Sequence, residues 1–151
     1  MSRKKSREIA FKLLFPFAFD GIRKQNDGVS FVDNNELELA TDAESGQPTE
    51  KTIDAKEMQY INKLYDAAIS NLDKIDEIIS STAKGFSFDR IYKVDLTALR
   101  LAVAEILYLP ETPAVVAINE TVNLVKKYGT EASAGYVNGI LASIIKNQRN
   151  E

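Results

Sequence analysis

Apolar residues recur at intervals of three and four along most of this chain, and no segment alternates apolar and polar residues as a half-buried strand does. The pattern predicts helices throughout. The first opens near Ser6, a favourable N-cap, and runs through REIAFKLLFPFAF with Ile9, Phe11, Leu13 and Leu14 as its contacts. Pro16 lacks a backbone donor and crowds the preceding turn, so it should kink or end that helix and place Phe17 and Phe19 on a displaced last turn. After a long polar interval, Met58, Ile61, Leu64, Tyr65, Ala68, Ile69 and Leu72 define an amphipathic helix. Ile75, Ile78 and Ile79 define a second, with Gly85 suited to a left-handed cap after Lys84, and Phe86, Phe88 and Ile91 pin the connector that follows.

Asp95 is the expected cap of a helix whose Leu96, Leu99, Val103, Ile106 and Leu107 make a broad apolar face ending before Pro110. Thr112 as N-cap and Pro113 in the first turn restart the chain, with Val115, Ile118, Val122 and Val125 as the expected stripe as far as Tyr128. Lys126 and Lys127 suit the negative end of that helix, and Gly129 closes it. The last helix should begin at Thr130 or Glu131. It contains YVNGIL, whose Asn-Gly pair is a hairpin signal, but Val137, Ile140, Leu141, Ile144 and Ile145 share one stripe at about 100° per residue, so the helix wins. Gly135 and Gly139 fall on the opposite side, each costing about 1 kcal/mol relative to alanine, so that face should admit a helix or a nucleic-acid backbone at close range.

Composition narrows the chemistry. With 151 residues and 44% apolar content the chain can bury one substantial core or two small bundles. It has no cysteine and no histidine, which removes disulfides, thiolate nucleophiles, imidazole bases and most transition-metal sites. No serine sits in a Gly-x-Ser-x-Gly setting and the acids are scattered, so a non-enzymatic role without cofactor or metal is expected. No apolar run reaches the roughly 18 residues of a membrane span, and a cytoplasmic protein follows.

The net charge of -3 conceals two opposed regions. Arg3, Lys4, Lys5, Arg7 and Lys12 face only Glu8 at the amino end, whereas residues 20 to 57 are strongly acidic. The organisation expected is a single unit over 1–151: a basic arm and first helix (1–19), an acidic mobile connection (20–50), helices completing a first bundle (51–85) and a C-terminal bundle (86–148).

The stretches ALRLAVAEI, VAINETVNLVKKYGTE and YVNGIL, in that order and spacing, together with RKKSREIAFKLLF at the amino end, resemble the NusB family of transcription antitermination factors. The resemblance covers residues 3 to 17 and 86 to 145. It implies an all-α fold of two small packed helical bundles with about seven helices, and no catalytic activity. It further implies binding of boxA-like single-stranded RNA from ribosomal RNA leaders together with NusE, a small-subunit ribosomal protein, within an antitermination complex on RNA polymerase. Family members occur as monomers and as homodimers.

Carried over residue by residue, Arg3, Lys4, Lys5 and Arg7 are the expected phosphate contacts and Tyr136 the expected base-stacking aromatic. Asp95 and Glu105 fall where the family faces NusE. After Gly129-Thr130-Glu131 the chain departs from the family's polar, partly basic pattern with the small, neutral run Ala132, Ser133, Ala134, Gly135. A second function class follows from that departure: an interaction scaffold that keeps the protein surface and gives up most RNA binding. A third, the NusB-like domain fused to ribosomal RNA methyltransferases, is disfavoured because no catalytic domain or glycine loop follows; a free-standing module is expected.

Overall fold

In the computed structural model residues 3–19, 55–83 and 87–149 are described. The expected acidic connection of residues 20–50 and the Gly85 cap, with Lys84 and Phe86, lie outside them. The described residues form six α-helices: α1 (Arg3–Leu14), α2 (Ala55–Ser70), α3 (Leu72–Thr82), α4 (Lys93–Tyr108), α5 (Ala114–Tyr128) and α6 (Ser133–Arg149). Short 3-10 turns cover Phe15–Ala18 and Phe88–Arg90. No strand occurs among the described residues, and none of their helices is long and apolar enough to cross a membrane.

The arrangement follows from α4. Every residue from Asp95 to Glu105 is buried, so this helix is enclosed on all sides, as a helix with apolar residues around most of its circumference must be. All five other helices pack on it, α1 pairing with α2 on one flank and α5 with α6 on another. One hydrophobic cluster runs from Ile9 to Ile144 through all of these elements except α3's first turn, where Leu72 is also fully covered.

Several local expectations shift. Helix α1 begins at Arg3, so Ser6 is not its cap; it is a buried residue inside the helix, because packing of the first turns against α2 and α4 outweighs the capping signal. Pro16 does end α1, in the 3-10 turn where Phe17 is buried and Phe19 is left 42% exposed. Asp95 is not the cap of α4, since Tyr92 holds that position and Asp95 lies in the first turn. Thr112 is displaced likewise: Pro113 is the N-cap of α5, and the Thr112 hydroxyl is 3.2 Å from that of Tyr60.

The buried stripe of α5 is rotated from the expected one. Ala117, Thr121, Leu124 and Val125 are covered, while Val115 is 64% exposed. Ala117 and Thr121 are small enough to let α5 lie close against α4, and that closeness decides which face turns inward.

Gly129 closes α5 with extended backbone (φ -101°, ψ -161°) rather than a left-handed cap, its N–H reaching the Val125 carbonyl at 2.8 Å. It is glycine for want of room: a Cβ would stand 2.5 Å from Ser133 Oγ and 2.8 Å from the Val125 carbonyl oxygen. Helix α6 then starts at Ser133, whose Oγ accepts the Thr130 N–H at 2.9 Å. YVNGIL is helical, with Val137, Ile140, Leu141 and Ile144 in the core.

Candidate nucleic-acid interface

The amino-terminal cations part company as soon as α1 is wound. Positions 3 and 7 share a face one turn apart, and that face meets α2 and α4. Arg7 is 4% exposed and forks onto Glu105, which is 1% exposed: Nε to Oε1 at 2.8 Å and Nη2 to Oε2 at 2.7 Å. The Tyr60 hydroxyl donates to the same carboxylate. Burial works against the Arg7 charge, but the hydrogen bond and charge of Glu105 outweigh it and raise its pKa. Burial, then the bond to Glu105, likewise raise the Tyr60 phenol. Arg7 and Glu105, expected on an RNA surface and a partner surface, are each other's buried partner in this structure, and neither offers its charge to solvent.

The remaining cations divide between two sides. The Arg3 guanidinium is stacked 3.8 Å above the Tyr60 ring centre. Lys4 is exposed and Lys5 half-buried. Lys4 overlooks a cleft of about 170 Å³ between α1 and α5 that is also lined by Arg7, Glu8, Glu120, Asn123, Leu124 and Lys127. Lys127 is more than a C-terminal cap: it crosses to Glu8 at 2.8 Å, and the Tyr128 hydroxyl donates to that carboxylate too. Burial pushes the Glu8 carboxyl up, yet the Lys127 and Tyr128 bonds hold it below its ordinary value.

Further along α1, Phe11 stacks on Tyr128 with ring centres 5.5 Å apart, and Lys12 lies 5.9 Å from the Tyr128 ring. With Phe15 and Val94 these three form an apolar groove of about 320 Å³ beside the start of α4. Asp95, 6% exposed, follows Val94 in the chain. Burial raises its pKa, opposed by the hydrogen bond from Ser133. Tyr136 is half-buried, and its phenol is raised by burial and then by the Asp95 charge. Gly135 and Gly139 face outward with nothing within 4 Å of where a side chain would begin, so none of the other described helices packs on that face.

Sequence periodicity reveals none of the roles of Tyr60, Glu8 and Tyr128. Tyr60 does lie one turn ahead of the buried Leu64, which marks it as inward-facing, but not what its hydroxyl meets. No cluster of histidine, cysteine or acidic residues able to hold a metal occurs among the described residues.

A hub helix wrapped by five others defines a small all-helical protein built around one enclosed helix. The chain belongs to the NusB family, whose profile matches residues 4–146, and this is a family of non-enzymatic transcription antitermination factors. Transcription antitermination protein NusB of Natranaerobius thermophilus is 38% identical over 151 residues, spanning 100% of this chain and 99% of the relative. That of Clostridium botulinum is 38% identical over 146 residues, spanning 97% and 99%. Among solved structures, T. maritima NusB superposes with a TM-score of 0.77 at 31% identity, over 97% of this chain and 92% of that one. The antitermination factors NusB and NusE in complex with dsRNA give a TM-score of 0.75 at 31% identity, over 96% of each chain.

Proposed function

We propose that this antitermination factor is cytoplasmic and binds boxA-like single-stranded RNA of ribosomal RNA leaders jointly with NusE, so loading an antitermination complex onto RNA polymerase. The observation that carries the reading is the split of the basic run. Arg7 is spent on Glu105 and locks α1 to the hub, and this holds Arg3 and Lys4 exposed on a rigid first turn, with the 60% exposed Lys127 across the cleft from Lys4. Fixed cations lose less entropy on meeting phosphates than cations on a loose arm.

Tyr136, partly buried against the core, supplies the stacking surface in this reading, and unpaired bases can splay onto such a ring as duplex bases cannot. For NusE this reading keeps the start of α4, where Val94 lines the apolar groove with Phe11 and Phe15 and the largely buried Asp95 follows it in the chain. The relative solved with NusE and dsRNA supports a joint protein and RNA role.

The test is an anisotropy titration of a labelled boxA-like RNA, a scrambled RNA and a duplex, with and without NusE, at two salt concentrations. Weak binding alone, tightened by NusE and selective for the boxA-like strand, is the expected result. Equal affinity for all three RNAs in both states would overturn it and leave an interaction scaffold.

A further inference from the structure

Tyr60 stands between two of the amino-terminal arginines. Its hydroxyl donates to the Glu105 carboxylate onto which Arg7 forks and lies 3.2 Å from the Thr112 hydroxyl, so the 5% exposed tyrosine is fixed at its polar end. Its face carries Arg3, whose guanidinium carbon is 3.8 Å above the ring centre. Arg3 itself remains exposed.

Three helices bring these residues together. Arg3 and Arg7 are one turn apart on α1, Tyr60 is on α2, Glu105 is on α4, and Thr112 is on the connection from α4 to α5. One turn beyond Tyr60, Lys63 crosses to Glu111 at 2.7 Å. The Lys63 bond, with a smaller contribution from the Arg3 charge, holds the Glu111 carboxyl below its ordinary value. Glu111 thus has its cation in Lys63, and Arg3 is left to meet another anion. Stacking uses the flat face of a guanidinium and leaves the N–H donors at its rim for acceptors, a division that a lysine ammonium cannot make. A long exposed side chain loses rotamer freedom when it meets a phosphate, and one already laid on a fixed ring has less to lose.

We propose that Tyr60 is a positioning residue of the RNA surface: held from behind by Glu105 and Thr112, it lays the Arg3 guanidinium flat so that its rim forks onto one phosphate of the bound strand. Arg3 touches the RNA and Tyr60 does not. The Glu105 carboxylate thereby serves both arginines, Arg7 directly and Arg3 through the Tyr60 hydroxyl. The inference rests on the RNA-binding function proposed above and adds the residue that sets the geometry of one contact.

The test is a double-mutant cycle between positions 3 and 60, read as the affinity of the full chain with NusE for labelled boxA-like RNA at two salt concentrations. Y60F keeps the ring and loses the hydroxyl, whereas Y60L loses both, so a difference between them belongs to the ring. Y60L should bind about 2- to 5-fold more weakly than Y60F, the equivalent of one exposed cation–π contact. R3A should lower the salt slope by about 0.7. R3K keeps the charge but not the flat fork, so it should keep the slope and lose affinity by the same margin as Y60L, and in the Y60L background it should cost nothing further. In the unmutated chain the Arg3 Cδ protons should be shifted upfield by the Tyr60 ring, and the shift should persist when RNA is added. Circular dichroism melting establishes which variants are folded; if Y60L is not, R3K and the proton shifts decide. Equal affinity of Y60F and Y60L, an R3K affinity equal to the parent's, an undiminished R3K loss in the Y60L background, or absence of the upfield shift overturns the positioning role and leaves the general function standing. No binding to any RNA overturns both.

Discussion

Arg7 and Glu105 are 98 residues apart in the chain and form a forked ion pair that water scarcely reaches. The arginine belongs to a basic run whose neighbours face solvent, so one sequence motif serves two physical ends. Removing one member strands the other as a buried charge, which costs about 3–5 kcal/mol. Arg7→Ala should therefore lower the urea unfolding midpoint steeply. The double variant with Glu105→Leu should lose less than the sum of the single losses, because the two residues share one interaction. An unchanged midpoint for Arg7→Ala would mean that the pair contributes nothing to stability.

Lys4 and Lys5 should behave in the opposite way. Neither is held in a buried ion pair, so replacement by alanine should leave stability within about 0.5 kcal/mol of the parent. Every phosphate of a single strand that such a variant no longer neutralises should reduce the slope of log K against log salt by about 0.7. Arg7→Ala, measured where it is folded, should leave that slope unchanged. The pair of measurements separates cations that bind RNA from the one that holds the helix.

How much of the fold is legible in the sequence follows from the range of each signal. Helix identity is a property of spacing within about ten residues, so α2, α4 and the helical state of YVNGIL can be read directly. Which face of α5 turns inward cannot. Val115 is strongly apolar but exposed, whereas Ala117 and Thr121 win burial because their size fits the neighbouring α4. The caps at Ser6, Asp95 and Thr112 fail for a related reason: each side chain is claimed by tertiary packing, by Ser133 or by Tyr60 before it can serve its own helix. The basic run is legible in the charge distribution, and the resemblance supplies the family. It does not reveal that Arg7 and Glu105 meet, since pairing at long range leaves no mark in local composition.

Tyr136 offers a test of stacking against packing. If its ring receives a base, Tyr136→Ala should weaken RNA binding by about 1–3 kcal/mol, while Tyr136→Phe keeps the ring and most of the affinity. Equal losses for both variants in the same anisotropy titration would assign the effect to the hydroxyl and its neighbourhood near Asp95 rather than to stacking.

Asp95 should make stability fall as pH rises through the acidic range. Burial raises its folded-state pKa above the ordinary carboxylate value of about 3.9, so between those two values the native state holds the proton more tightly than the unfolded chain. Stability is then greatest below the unfolded pKa and declines as pH rises through the raised one. Asp95→Asn cannot ionise and should remove that segment of the decline in urea unfolding followed across the acidic range. Glu8 acts in the opposite sense: its depressed pKa contributes stability that is lost only as pH falls through the lower value, so Asp95→Asn should leave this limb of the curve in place.

The glycines make opposed predictions from one chemical change. A methyl group at Gly129 meets Ser133 Oγ at 2.5 Å and the Val125 carbonyl oxygen at 2.8 Å, and the second of these is backbone that cannot swing aside. Gly129→Ala should therefore cost about 1–3 kcal/mol, as overpacking does, by forcing the α5–α6 junction apart. Gly135→Ala and Gly139→Ala meet nothing within 4 Å and lie inside a helix, where alanine is favoured by roughly 0.5–1 kcal/mol each. Both should raise the thermal midpoint of the isolated chain. If they also weaken RNA or NusE binding, that outward face of α6 is held free of side chains so that a partner can approach, at a cost in helix stability. Unchanged binding would make both glycines ordinary sites for stabilisation.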